Sequence, residues 1–354
     1  MKTNVTLEQA LSKASKGLQK KMMYSIDLLK KAENIALAYG GDKGYYLAFS
    51  GGKDSQALYH IAELAGVRFD AHMNLTSVDP PEVIRFVKQS YPEVDLIKPK
   101  KSIYQLAVEK QILPTMRVRW CCAEYKEMSG AGRVTLIGIR HQESSRRSKR
   151  NEVEISSRKF SGTLEGLDEY RQELKAKRAR RKSKKDGVNI TNADQEQTLG
   201  CISGKESILI SPIIHWTEQD VWEFLNKVME VPHCSLYDDG WHRLGCIGCP
   251  MSSAKQKQIE NVRYPHVKKN WIKAIKAIRG GAWTAPSEQL SEGHLDCRCN
   301  RNNAQFPTPK WGNSHGNTIC QHQPNHSAST STSTRVNYGV WNEAGFLKAH
   351  RLTA

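Results

Sequence analysis

The chain has 354 residues, a formal net charge of +17 and a sequence pI near 9.4. That length allows one large domain with appendages or two modest ones, and the charge favours a polyanionic partner, nucleic acid or a nucleotide, over a neutral ligand. No apolar run approaches the roughly 18 residues that a bilayer span needs, and "MKTNVTLEQALSKASKGLQKK" lacks an apolar leader core, so a soluble cytoplasmic protein with no membrane partner is expected.

In chain order, Leu7, Leu11, Leu18, Met22, Ile26, Leu29 and Ala36 recur at helical spacing, which predicts one or two amphipathic helices over 5–39. Residues 1–40 thus read as an N-terminal helical segment. An apolar run at Tyr45 to Phe49 predicts the first strand, Ser55 to Leu64 a helix, and Phe69 to Leu75 the second strand. A helix can start after "DPPEV", with Pro80 or Pro81 in its first turn. "VDLIKP" reads as a third strand, Ile103 to Gln111 as a helix, and "VTLIGI" at 134–139 as a fourth strand. Strands alternating with helices imply an α/β fold with a mostly parallel, doubly wound sheet, whose ligands bind at the carboxyl ends of the strands.

From about Ser156 to Gly200 the chain turns polar and basic, and reads as a mobile insertion, partly helical. Within it, Arg171 to Lys185 holds nine Lys or Arg against the single acid Glu173, a tract suited to nucleic-acid phosphates. It contains no aromatic residue, so it offers affinity rather than base stacking. In "SILISPIIHWTEQDVWEFLNKV", Ile208 to Ile210 suit a strand, and Thr217 can cap a helix with Asp220 at the reciprocal position. Val221, Trp222, Leu225 and Val228 would form that helix's buried face. The main domain is expected over 41–283, with the insertion at 156–200 and a cysteine segment at 234–250; 284–354 read as an irregular, low-complexity tail.

Chemistry concentrates in two places. The first is "SGGKDS", Ser50 to Ser55, between the first strand and its helix. A strand that runs through two glycines into a helix exposes backbone N–H groups at the helix's positive end, and Gly51 and Gly52 let the backbone approach an anion. Lys53 adds charge, Ser50 and Ser55 add hydroxyls, and Asp54 either holds Mg²⁺ or caps the helix. The spacing is not that of a Walker loop.

The second is the set of nine cysteines, an odd number whose placement suits metal or redox chemistry better than a disulfide framework. Cys121 and Cys122 are adjacent, Cys246 and Cys249 form C-x-x-C, and Cys234 lies eleven intervening residues before Cys246. A C-x-x-C turn with a second source of thiolates completes four-coordinate ligation, either of zinc or of an iron–sulfur cluster, which accommodates tandem cysteines more easily. The ligand set is either Cys121, Cys122, Cys246 and Cys249, or one of the tandem pair with Cys234, Cys246 and Cys249. Cys201, Cys297, Cys299 and Cys320 read as free thiols.

"SGGKDS" resembles the pyrophosphate loop of the adenine nucleotide α-hydrolase-like superfamily. "TLIGIRHQESSRR", "SPIIHWTEQDVWEFL" and "PHCSLYDDGWHRLGCIGCP" resemble, in order, the arginine loop, the following strand-to-helix segment and the cysteine segment of the phosphoadenosine phosphosulfate reductase family. The resemblance covers roughly residues 40–280. It implies an adenine nucleotide substrate, ATP or a sulfated adenylyl nucleotide, bound by Ser50, Gly51, Gly52, Lys53, Asp54, Ser55, Asp79, Arg146 and Arg147. It assigns catalysis to Lys53, Asp54 and Arg140, with Mg²⁺ near Asp54 and a clamp of Arg140, Arg146 and Arg147 on phosphate. The adenylylsulfate reductases and DNA phosphorothioation sulfurtransferases that the chain resembles imply a [4Fe-4S] cluster on its cysteines and a sulfur or electron donor protein as partner.

Two departures shape the functional expectation. The Glu-Cys-Gly-hydrophobe-His motif of the reductases does not occur, and the phosphate loop is the complete one of ATP-cleaving relatives. An enzyme that cleaves ATP at the α-phosphate and supports sulfur transfer is therefore expected, ahead of a reductase that makes sulfite or a non-catalytic accessory binding nucleotide and nucleic acid.

Overall fold

The computed structural model describes residues 4–127, 129–183, 202 and 205–280, all within one compact unit. The tail at 284–354, most of the segment between Ser183 and Lys205, and Cys201, Cys297, Cys299 and Cys320 lie outside the described residues.

The amphipathic N-terminus forms two helices, α1 (Leu7–Lys13) and α2 (Lys16–Gly40), separated where Ala14 turns extended and Ser15 caps α2. α2 buries Leu18, Met22, Ile26 and Leu29, and packs on the first and fourth strands and on the helix that follows the glycine turn. Its Leu29 carbonyl accepts the Tyr45 hydroxyl at 2.6 Å, fixing the helix over the first strand.

The core sheet has seven strands: β1 (Tyr45–Ala48), β2 (Phe69–Asn74), β3 (Asp95–Ile97), β4 (Val134–Leu136), β5 (Val153–Ile155), β6 (Ser161–Gly162) and β7 (Ile208–Ile210), in the order β3-β2-β1-β4-β7-β5-β6. β3, β2, β1, β4 and β7 are mutually parallel. The fold is the mostly parallel α/β architecture that the strand–helix alternation predicts. β5 runs antiparallel to both β6 and β7. The chain winds outward from β1 through α3 (Lys53–Ala65) to β2 and through α4 (Pro81–Ser90) to β3, then returns to place β4 on the other side of β1. The direction of winding reverses between β1 and β4, and such a switch point leaves a crevice at the carboxyl ends of the strands.

Among the described residues the remaining α-helices are α5 (Ile103–Glu109), α6 (Trp120–Cys122, continued by a π-helical turn to Glu127), α7 (Leu164–Ser183), α8 (Glu218–Glu223, continued by a π-helical turn to Val228), α9 (Ala254–Arg263) and α10 (Pro265–Ile278). Residues 156–183, expected as part of a mobile, partly helical insertion, form β6 and the twenty-residue α7. α7 is anchored by buried Leu164 and Leu167 and by Tyr170 against Phe160, and its basic run begins where those apolar anchors stop. No described helix is long and apolar enough to cross a membrane.

Candidate nucleotide and thiol site

The glycine turn sits at the switch point. Gly51 has φ +70°, and a Cβ there would stand 2.8 Å from Val83 Cγ1 and 2.9 Å from Val87 Cγ2 of α4. Only glycine satisfies both the left-handed backbone and the lack of space. Gly52 is the N-cap of α3 and contributes no side-chain cap, so the first-turn N–H groups of α3 face the crevice. The two serines close the turn on itself: Ser55 Oγ donates to the Gly52 carbonyl at 2.8 Å, while Ser50 N and Ser50 Oγ donate to Ser55 Oγ at 3.2 and 3.1 Å.

Lys53 is 4% exposed although it begins a helix at the end of a strand. Its ammonium reaches the His242 carbonyl at 3.1 Å and Glu218 Oε1 at 3.3 Å, and lies 5.6 Å from the centre of the Tyr237 ring. Burial of a lysine at a helix N-terminus is costly unless negative charge compensates it. Glu218, at the first turn of α8, supplies that charge from the protein side.

Asp54 does not serve as a helix cap. Its Oδ1 accepts from Arg140 Nε at 2.7 Å, and its Oδ2 lies 3.8 Å from Lys53 Nζ. Arg140 follows β4 across the crevice, is 3% exposed, and also donates to Gln142 Oε1 at 3.4 Å. The backbone of β4's loop closes in as well, because a Cβ on Gly138 would stand 3.0 Å from the Asp54 carbonyl. Arg140 is thus turned to a carboxylate of the loop. Of its expected companions, Arg147 pairs with Glu143, and Arg146 is exposed without a partner among the described residues. The three arginines do not converge on one point.

Asp79, expected among the nucleotide-binding residues, closes the loop after β2 on itself. Its Oδ2 accepts from Thr76 N at 2.5 Å and its Oδ1 from Thr76 Oγ1 at 2.9 Å. Burial pushes its carboxyl up, against the opposing pull of Thr76 and Lys126. Thr76 Oγ1 also lies 3.4 Å from Cys246 Sγ, and Ile247 N donates to the Val78 carbonyl at 2.7 Å, so the loop after β2 carries the C-x-x-C turn.

Four of the five nominated cysteines gather there. Cys121 interacts electrostatically with Cys122, Cys246 and Cys249, and all four are partly exposed. Cys122 accepts a hydrogen bond from its neighbour Cys121 and another from Arg119 Nη2 at 3.1 Å, which hold its thiol below the ordinary cysteine value, while Cys121 is pushed up as the partner that keeps the proton. Burial pushes Cys246 up, opposed by Lys126, whose ammonium donates to its sulfur at 3.3 Å. Cys234 stands apart: it is 1% exposed in the core, and the charges around it are Glu82, Arg263 and Asp238. The second ligand set considered from the sequence is therefore not assembled.

Among the described residues no three His, Cys, Asp or Glu side chains are grouped as a single metal ion would require. The donor set is nonetheless chemically suited to soft iron or zinc, with four thiols and two cations, Arg119 and Lys126, to offset thiolate charge.

Sequence reasoning missed Tyr237, Glu218, His242, Thr76 and Lys126. Only Lys126 carried a usable signal, since it follows Cys122 by one helical turn. Tyr237, His242 and Glu218 reach the site through the tertiary path of the 232–245 segment and α8, and Thr76 through the loop after β2.

Known proteins resemble the chain at two levels. Among solved structures, a Candida glabrata FMN adenylyltransferase bound to FAD and inorganic pyrophosphate aligns at 14% identity over 68% of each chain with a TM-score of 0.40. A Candida auris phosphoadenylyl-sulfate reductase aligns at 13% identity over 66% of this chain and 96% of its own, with a TM-score of 0.36. In sequence, an uncharacterized protein of Methanocaldococcus jannaschii is 24% identical over 76% of this chain and 56% of its own length. Adenosine 5'-phosphosulfate reductases of Bacillus pumilus and Lysinibacillus sphaericus are 26% and 24% identical over 30% and 52% of this chain. The chain spans 42% and 62% of the length of those two relatives. Residues 44–252, more than half of the sequence, match the family model described as the phosphoadenosine phosphosulfate reductase domain. That span opens one residue before β1 and closes beyond Cys249, so it takes in both the glycine turn and the thiol group: the chain belongs to the phosphoadenosine phosphosulfate reductase domain family.

Proposed function

We propose that this member of the family binds ATP at the β1–α3 turn and cleaves it at the α-phosphate, activating an acceptor for sulfur transfer. The observation that carries this reading is the buried Lys53 at the head of α3, beside a glycine turn whose shape the packing of Val83 and Val87 dictates. A site built this closely suits the pyrophosphate of a nucleoside triphosphate, whose charge the first-turn N–H groups and the Lys53 ammonium would balance.

In the reaction an acceptor oxygen attacks the α-phosphorus. The bond from phosphorus to the bridging oxygen breaks, and its electron pair leaves with pyrophosphate. A sulfur nucleophile then displaces AMP from the adenylated acceptor. Such in-line displacement needs positioning and charge stabilisation rather than a protein nucleophile. Lys53 would neutralise the leaving pyrophosphate, and Arg140 acts as a positioning residue that orients Asp54. A lone carboxylate beside phosphate oxygens suits Mg²⁺, and Asp54 Oδ2, free of Arg140, would be its protein ligand.

Calorimetric titration of MgATP and of adenylyl sulfate into the full chain and Lys53→Ala tests this. ATP affinity should fall by roughly tenfold or more in the variant, the loss of one charge-assisted contact. ATP binding that ignores Lys53, beside tight binding of adenylyl sulfate, would favour a sulfonucleotide reductase instead.

The grouped thiols support a cluster as part of the same enzyme. Cys121, Cys122, Cys246 and Cys249 would hold a [4Fe-4S] centre, with zinc as the alternative. A cluster held by three of these thiols would leave one iron open to carry sulfur, whereas ligation by all four would leave no iron open. Anaerobic purification should give about four irons and four sulfides per chain, both lost in a Cys246→Ala/Cys249→Ala double variant. One zinc and no sulfide would instead assign the thiols a structural role.

A further inference from the structure

We propose that the Tyr237 hydroxyl occupies, in the ligand-free protein, the position of a pyrophosphate oxygen, so that Tyr237 sets the affinity and anion selectivity of the glycine turn. The proposal rests on the reading of that turn as a pyrophosphate site.

The Lys53 N–H is a first-turn donor of α3 with no intrahelical partner, the kind of group that such a turn offers to an anion. Here it donates to Tyr237 Oη at 2.9 Å. A Cβ on Gly52 would stand 3.4 Å from the same hydroxyl, so Tyr237 reaches over the turn at the point where glycine leaves the backbone open. Two further contacts follow the same logic. The Lys53 ammonium lies against the Tyr237 ring and bonds to the His242 carbonyl. Beside the Glu218 carboxylate, a neutral hydroxyl, a π face and a carbonyl thus meet a donor and a cation that would otherwise meet phosphate.

All three come from one short segment. Tyr237 N donates to the Cys234 carbonyl at 3.0 Å, and Trp241 N to the Leu236 carbonyl at 3.0 Å, folding residues 234–241 into a compact turn. Trp222 of α8 meets the Tyr237 ring edge-on at 5.0 Å. Tyr237 is half-buried at the edge of the core, and Asp238, Asp239 and Gly240 beside it are exposed, so solvent lies on the side to which its ring would swing. Pyrophosphate must displace the hydroxyl to use the Lys53 N–H. An anion too small to reach that donor does not have to.

The test titrates inorganic pyrophosphate and inorganic phosphate into the full-length wild type and Tyr237→Phe by calorimetry. Phenylalanine keeps the ring and removes the competing oxygen. Pyrophosphate should bind roughly three- to tenfold more tightly to the variant, the fold-change of one net hydrogen bond, with phosphate changed less. Equal or weaker pyrophosphate binding by Tyr237→Phe overturns the proposal while leaving the turn a pyrophosphate site. No binding by either protein overturns both. Trp222 gives a second readout in the wild type: pyrophosphate should shift its emission, taken as the difference from Trp222→Phe, as the tyrosine ring leaves. Saturable pyrophosphate binding without that shift would also overturn the proposal.

Discussion

Gly51 is the residue at which backbone geometry and packing meet most directly. Its φ of +70° falls where L side chains are strained, and the space its Cβ would need is filled by Val83 and Val87. Both valines are buried on α4, so they cannot retreat toward solvent. Gly51→Ala should therefore cost about 2 to 3 kcal/mol, part from the left-handed backbone and part from overpacking. Urea unfolding of the two proteins measures this. A loss below about 0.5 kcal/mol would mean that the turn relaxes freely and is not held by α4. The glycine turn was legible in the sequence because its features are local: two glycines, a lysine and the strand-to-helix switch lie within six residues. The pairing of Arg140 with Asp54 was not legible. Charge predicts an arginine's affinity for phosphate and for carboxylate equally, and this contact depends on the tertiary approach of the β4 loop to Asp54.

At the scale of elements, caps and periodicity carried well. Thr217 and Asp220 form the reciprocal pair expected of α8, with Thr217 Oγ1 accepting from Asp220 N at 3.1 Å and Asp220 Oδ2 accepting from Thr217 N at 2.5 Å. Val221, Leu225 and Val228 are buried as the spacing predicts, whereas Trp222 is half-buried and turned toward Tyr237. An amphipathic pattern identifies a face but cannot separate core from the wall of a site. β5 and β6 were missed because they have only three and two residues, and the partly helical reading of the basic segment did not place α7, whose Lys and Arg outweigh its apolar anchors in composition. α8 is a short helix whose first turn places Glu218 against Lys53, so its cap matters to the site. Thr217→Ala should destabilise the protein by about 1 kcal/mol. The same variant should speed amide exchange at Asp220 without altering exchange in α10. Uniform acceleration across both helices would show that Thr217 acts on the whole fold rather than on its own helix.

For the whole molecule, the informative link is the one between α2 and α8, elements that begin about two hundred residues apart. Lys21 Nζ donates to Asp220 Oδ2 at 2.5 Å, tying the N-terminal helix to the helix that carries Glu218 and Trp222. Burial alone would raise the Asp220 carboxyl, but the hydrogen bonds from Lys21 and from Thr217 outweigh it and hold the group below its ordinary value. The unfolded chain then binds a proton more readily than the folded one, so acid favours unfolding through this group. Its contribution is complete above the unfolded value, near pH 4, and is lost as pH falls through the depressed folded value. Asp220→Asn removes the titration while keeping the shape of the side chain. The stability gap between wild type and Asp220→Asn, followed by urea unfolding, should stay constant from about pH 7 to 5 and narrow below about pH 4. A gap that widens on acidification would have the wrong sign and would show that Asp220 is not held in its charged form by Lys21. Because α2 also packs on β1, β4 and α3, acid should loosen the glycine turn along with α8. Lys53 would then lose its Glu218 partner before the sheet itself unfolds.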